Sequence, residues 1–206
     1  MDFFIADTHF YHEKLLLSEH FSPRPYDNLP DEHAGLIDAW NQRVDEQDTV
    51  YHLGDIAMMN HVRPEKHAHE LVADILNQLQ GHIVFIKGNH DSRSLFKYLT
   101  AHNPVLVDGN PKFDFEDVGR IVKANHHQFF LTHYPLILGQ TQNSINLHGH
   151  IHHTMVAIPE NINVGVDSAD LDYLPADKKP VWGSPLSLEE VEVIMQRKHD
   201  DFAKRR

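Results

Sequence analysis

Five short apolar runs in this chain each stop on a side chain that metal ions and phosphates favour. FFIA (3–6) ends on Asp7-Thr8-His9, and TVYHL (49–53) on Gly54-Asp55. HIVFI (82–86) passes through Lys87 to Gly88-Asn89-His90-Asp91, and QFFLT (128–132) stops at His133. The run holding Ile145 and Leu147 leads into Gly149-His150-Ile151-His152, part of the stretch LHGHIHH with four histidines in seven positions. The runs are rich in aromatic and β-branched residues and read as strands. In open α/β sheets the carboxyl edge of the strands is where ligands bind. Glycines at 54, 88 and 149 permit the tight turns and close backbone approach of such an edge.

Between the first three runs lie helical patterns. DEHAGLIDAWNQRV (31–44) follows Pro30 and places Leu36, Ile37, Trp40 and Val44 on one face. PEKHAHELVADILNQLQG (64–81) does the same with Leu71, Val72, Ile75, Leu76 and Leu79, and Gly81 supplies a stop. A third, short helix is predicted over 92–100. FDFEDV (113–118), RIVKA (120–124) and QFFLT predict a meander with NHH (125–127) as one of its turns. MVAIP (155–159) and INVGV (162–166) are further strand candidates. SLEE (187–190) is a capping-box signal that turns VEVIM into a helix with Leu188, Val191 and Ile194 inward. The pattern predicts an α/β domain, its second half leaning to antiparallel strands, with two sheets covered by helices.

The 206 residues suffice for one domain with a sizeable core, so a single catalytic domain over 1–206 is expected, ending in a short basic solvated tail at about 198–206. Eighteen Lys and Arg against 30 Asp and Glu give a net charge of −12, which disfavours a broad groove for extended nucleic acid. Cysteine is absent, excluding disulfides, thiolate ligands and a catalytic thiol. No basic n-region or membrane-spanning run is visible, so the expected location is the cytoplasm, without a membrane partner. Histidine, with 19 residues, is the outlier.

Each motif taken singly is common; Gly-Asp is more often a turn, and a lone histidine after a strand is more often structural. The ordered set is what carries weight. It resembles the calcineurin-like metallophosphoesterase superfamily, whose pattern is Asp-x-His, Gly-Asp, Gly-Asn-His-Asp/Glu, a lone His and Gly-His-x-His. The contexts DTHFYHEKLL (7–16), DTVYHLGD (48–55), LTHYPL (131–136), NLHGHIH (146–152) and NVGVD (163–167) resemble a small, cap-less bacterial and phage branch. Residues 168–186 are longer than that branch's pattern.

The resemblance implies a two-sheet β-sandwich flanked by helices in four layers, α/β/β/α, with a dinuclear site. Asp7, His9 and His152 would hold one metal, Asn89, His133 and His150 the other, and Asp55 would bridge. His90 would face the leaving group, oriented by Asp91. On an extended segment His150 and His152 would share a face and reach adjacent metals, leaving His148 structural. Carboxylate, imidazole and amide oxygen without thiolate suit Mn²⁺ first, with Fe or Zn²⁺ as alternatives. Two such ions clamp the attacking and leaving oxygens of a phosphoryl transfer and lower the pKa of a water between them.

The expectation is a phosphodiesterase acting on a small diester of nucleotide or cyclic-nucleotide type, by in-line attack without a covalent enzyme intermediate. A phosphomonoesterase acting on a phosphorylated metabolite is the close rival, and a non-catalytic metal-binding scaffold the distant one. His12 and Arg24 are candidates for holding phosphate oxygens. Asn60, His61 and Arg63, after Asp55, are candidates for the cleft wall; His67 and His69 read as a solvated helix face.

Overall fold

In β1 (Asp2–Ile5) the side chains alternate between two cores. Phe3 and Ile5 join one buried cluster, Phe4 and Ala6 the other. A strand apolar on both faces belongs in the middle of a layered fold. The computed structural model describes residues 1–18, 23–59, 62–139 and 143–205.

The first sheet runs β4-β3-β2-β1-β9, with β2 (Thr49–His52), β3 (His82–Ile86), β4 (Phe113–Glu116) and β9 (Leu186–Ser187). β1 to β4 are parallel, and β9 pairs antiparallel with β1. α2 (Leu29–Asn41), α3 (Glu65–Leu76) and α4 (Arg93–Ala101) contribute Leu36, Trp40, Val72, Leu76, Leu95 and Leu99 to the core that contains Phe3 and Phe85. α2 starts where expected: Asn28 caps it by accepting from the Asp31 N–H, and Pro30 lies in its first turn. A one-turn α1 (Glu13–Leu16) precedes it.

The second sheet runs β5-β6-β7-β8: Gly119–Ala124, His127–Thr132, Ser144–His148 and Asn161–Asn163. Phe129, Leu131, Ile145, Leu147 and Ile162 from this sheet meet Phe4, Leu53 and Ile86 from the first. α5 (Leu188–Lys204) adds Val191 and Ile194, and its start carries the complete Ser187–Glu190 capping box. The architecture is two sheets flanked by helices.

Four expectations are corrected. The meander is split: β4 joins the first sheet beside β3, and β5 opens the second. That second sheet is mostly parallel, since only β5–β6 pairs antiparallel, through a turn with Asn125 and His126 at positive φ. Residues 155–159 form no strand, and the strand expected at 162–166 is confined to Asn161–Asn163. Lys198 does not start a solvated tail. It lies on α5, fully buried, its ammonium donating to both carboxylate oxygens of Asp170 at 2.9 Å and to the Asn161 carbonyl at 2.6 Å. Asp170 belongs to a 3-10 turn (Ala169–Tyr173) within the long 168–186 segment. The ion pair therefore fixes that segment to α5.

Candidate metal centre

The ends of β1 and β2 stay paired beyond their last ladder residues. The N–H groups of Asp7, His9 and Phe10 donate to the carbonyls of Gly54, Asp55 and Ile56. Along this edge Asp7, His9, Asp55, His150 and His152 all adopt left-handed backbone, with φ of 58°, 48°, 56°, 72° and 49°. Each such conformation costs a non-glycine residue about 1 kcal/mol or more, and survives only where neighbours over-determine it. Here it gathers the polar termini of separate strands into one place. His150 and His152 accordingly sit on a bend, not the extended segment expected.

Two glycines make the convergence possible. A Cβ at Gly88 would overlap the Asp55 carboxylate, and one at Gly149 would lie 2.6 Å from Asp7 Oδ2.

The ligand-type atoms fall into two groups, Asp7–His9–His152 and Asp55–His133–His150, the atoms of each within 4.8 Å of one another. Asn89 Oδ1 lies 2.9 Å from His133 Nε2, adding an amide oxygen to the second group. Asp55 stands between them, its Oδ2 3.4 Å from both His9 Nε2 and His133 Nε2. Its other oxygen, Oδ1, accepts the His90 N–H at 2.9 Å. The seven residues expected as ligands are thus brought together.

Outer contacts set the tautomers. His133 Nδ1–H donates to the Leu53 carbonyl at 2.8 Å, and His152 Nδ1–H to Asp167 Oδ2 at 2.9 Å. With Nδ1 so engaged, Nε2 is the nitrogen each ring would offer a metal, the arrangement common among metal-binding histidines. Asp7 accepts the His150 N–H, and the Asn163 amide donates to the His152 carbonyl at 2.7 Å. Nothing in the sequence marks Asp167 for this contact, which joins residues 15 positions apart. Replacing Asp167 by Asn is expected to weaken metal affinity about 10- to 100-fold, read by metal titration.

The electrostatics fit cations. Burial pushes the Asp7 carboxyl up to about 7, despite the opposing pull of His152. Burial holds His9 well below the usual imidazole range. For Asp55 burial favours the neutral acid, but the hydrogen bond and charge of His133, with His9, win and hold it low. Burial likewise disfavours charge on His133 and His152, yet Asp55 and Asp167 respectively raise them. His9 Nε2 is buried without a hydrogen-bond partner. Three carboxylates with buried side chains, Asp7, Asp55 and Asp167, crowd these imidazoles. This donor set fits two divalent cations, which would satisfy the orphaned nitrogen and the carboxylates together.

The raised Asp7 pKa carries a stability consequence. An acid whose folded pKa exceeds its unfolded value favours folding only while protonated, and that benefit is lost as pH rises from about 4 to about 7. Metal-free Asp7→Asn is therefore expected to melt above the metal-free wild type, by a margin that grows between pH 4 and pH 8. Thermal melts in chelator across that range test this; a constant margin would contradict it.

Other expected residues are placed differently. Asp91 does not orient His90: its carboxylate accepts the N–H groups of Asp55, Ile56 and Gly88 at 2.8–2.9 Å, joining two ligand loops. Arg24 is not a phosphate binder. Its side chain is 1% exposed, pairs with buried Glu32 at 2.9 Å, and donates to the carbonyls of Asp7 and Thr8. It braces the first ligand loop from behind. His12 does reach the site, its Nδ1 3.2 Å from His9 Nδ1, and burial, with His90 and Arg24, lowers it to about 4. It therefore stands at the site as a neutral hydrogen-bonding ring. His148 is buried and donates to the Gly149 carbonyl. Asn60 and His61 lie outside the described residues.

His90 is 33% exposed, with Nε2 4.0 Å from Asp55 Oδ2 and its ring centroid 5.2 Å from that of His9. Tyr134, unnoticed in the sequence, packs edge-on against His150 at 4.6 Å between centroids and is 49% exposed. The centre is thus open at the surface, flanked by His90 and Tyr134.

Comparison with known proteins agrees with this geometry. The model of the calcineurin-like phosphoesterase family matches residues 3–192, and the chain belongs to that family. It is 32% identical over 154 residues to the uncharacterized protein MJ1445 of Methanocaldococcus jannaschii, covering 70% of this chain and 79% of the relative. It is 24% identical to the gene 66 protein of Mycobacterium phage L5, covering 96% and 95%. A protein of unknown function from Aquifex aeolicus, AQ665, has a similar fold: TM-score 0.62, 22% identity, 93% of this chain and 97% of that one. Family and donor clusters together support a metal-dependent phosphoesterase. No helix among the described residues is long and apolar enough to cross a membrane.

Proposed function

We propose that the protein hydrolyses a small phosphodiester of nucleotide or cyclic-nucleotide type, using two divalent ions, Mn²⁺ foremost. The observation that carries this reading is the open surface between His90 and the half-exposed Tyr134 ring, which leaves room for an ester group on each side of phosphorus. When bound, the ions would neutralise the phosphate and activate water as nucleophile.

The chain's own residues divide the remaining work. Asp7, His9 and His152 on one side, and Asn89, His133 and His150 on the other, would hold the ions, with Asp55 shared. His90, close to the clusters but outside them, would carry a proton to the departing oxygen. His12 would donate to a non-bridging phosphate oxygen. The cytoplasmic location proposed with this reading rests on the sequence alone.

The test is hydrolysis of bis(p-nitrophenyl) phosphate and p-nitrophenyl phosphate, side by side, by metal-stripped protein refilled with Mn²⁺. Faster Mn²⁺-dependent turnover of the diester is the expected result. Preference for the monoester would replace the reading with a phosphomonoesterase. Two bound metals without activity on either would favour the scaffold.

A further inference from the structure

A blind pocket of about 340 Å³ opens beside His90. Its floor is core: Ala57, Ala68, Val72 and Leu95 are all buried, and they belong to the β2 end, α3 and α4. Among the described residues, the rest of its wall is Met59, Arg63, Glu65, His69 and Ser92. His69, expected on a solvated helix face, is instead largely covered, 3.6 Å from Glu65 and 5.5 Å from the Tyr98 ring between centroids. His90 therefore has two neighbours, the ligand clusters and this pocket.

Resting on the phosphoesterase reading, we infer that this pocket seats the departing alcohol, and that this alcohol is a single nucleoside-sized group. Three observations lead there. A proton donor must lie within hydrogen-bonding reach of the oxygen it serves, so the group leaving past His90 enters the space His90 borders. The volume is at the small end of small-molecule sites, enough for one ring-bearing group. An apolar floor with carboxylate, imidazole, guanidinium and hydroxyl groups at its rim suits a flat ring with a polar edge. Because the floor is closed by core side chains, a strand that continues beyond one nucleoside would have to leave again through the mouth.

The experiment fills the pocket in the full chain. Ala68→Leu and Met59→Trp narrow it from two walls; Ala73→Leu, on α3 but off the pocket wall, controls for altered helix packing. All are loaded with Mn²⁺, checked for metal content and melting temperature, and assayed on bis(p-nitrophenyl) phosphate. Loss of roughly tenfold or more in kcat/KM is expected for the first two, the scale on which a few extra carbons in a fitted pocket act, with Ala73→Leu near wild type. Thymidine is then added as the departing group's mimic; it should inhibit the wild type and lose that effect in Ala68→Leu. Full rates in folded Ala68→Leu and Met59→Trp would place the departing group elsewhere, leaving the phosphoesterase reading intact. Thymidine that inhibits neither protein, or both equally, would overturn the nucleoside assignment. A wild type inactive on the diester with both metals bound would remove reading and inference together.

Discussion

Asp55→Asn is expected to lose metal and hydrolysis together, by about 10³-fold in kcat/KM at fixed Mn²⁺. The reason is position. Asp55 Oδ2 lies 3.4 Å from an imidazole nitrogen of each cluster, so it faces both. Asparagine can keep the bond from the His90 N–H through its carbonyl oxygen, which preserves the loop. It cannot keep the charge, and its amide group would point N–H donors or a neutral oxygen at both metal positions. Removing one partner from a buried charge cluster typically costs about 3–5 kcal/mol, which corresponds to roughly 10² to 10⁴ in rate or affinity. Metal content per protein after gel filtration, with kcat/KM on the diester, checks both halves. A variant that retains two metals and full activity would dismiss the bridging role. The metal-free form should also contrast with Asp7→Asn. The imidazoles hold the Asp55 pKa low, so its charge stabilises the fold above the ordinary carboxylate range and that benefit vanishes as pH falls. Asp55→Asn therefore loses stability at neutral pH, where Asp7→Asn gains it.

His90→Ala should separate chemistry from metal binding. Its backbone N–H holds Asp55, and alanine keeps that bond. The imidazole is not part of either donor cluster, and it is one-third exposed beside a pocket. Metal content and melting temperature are therefore expected to stay near wild type. Turnover should fall about 10² to 10⁴-fold on an ester with a poor leaving group, the usual range for a general acid. The fall should be far smaller with p-nitrophenolate, which departs without a proton. Comparing bis(p-nitrophenyl) phosphate with a dialkyl phosphate, whose departing alkoxide needs a proton, reads the difference. Equal losses on both esters would point to a role in positioning instead, and no loss on the alkyl ester would end the assignment.

Much of the centre was legible in the chain because metal ligation needs particular atoms and strand ends are easy to find. Carboxylates, imidazoles and one amide after five apolar runs marked the seven residues that converge at the centre. What Arg24 and Asp91 do was not legible. Both have the chemistry of a catalytic residue, and both are spent on backbone groups: Arg24 on the carbonyls of Asp7 and Thr8, Asp91 on three N–H groups of two ligand loops. A charged side chain that stabilises a loop and one that meets a substrate look alike until burial is known. Asp167, Tyr134 and the pocket beside His90 were missed for a related reason. Each acts through a neighbour supplied by a different part of the chain.

The sheets divide along the same line. Alternation in β1 and the capping box before α5 are local, and the structure keeps both. Whether β4 continues into a meander or crosses to β3 depends on which edge offers unpaired backbone groups, a matter of partner and not of pattern. The sequence by itself determined the candidate ligand residues, the helix starts and the apolar faces, because these follow from side-chain chemistry and short-range periodicity. Only the tertiary structure decided strand pairing, the left-handed backbone at the candidate ligands, and which charges face inward at loops and which face the open centre. Those depend on contacts between residues far apart in the chain, where the energy of a polar group is set by what surrounds it.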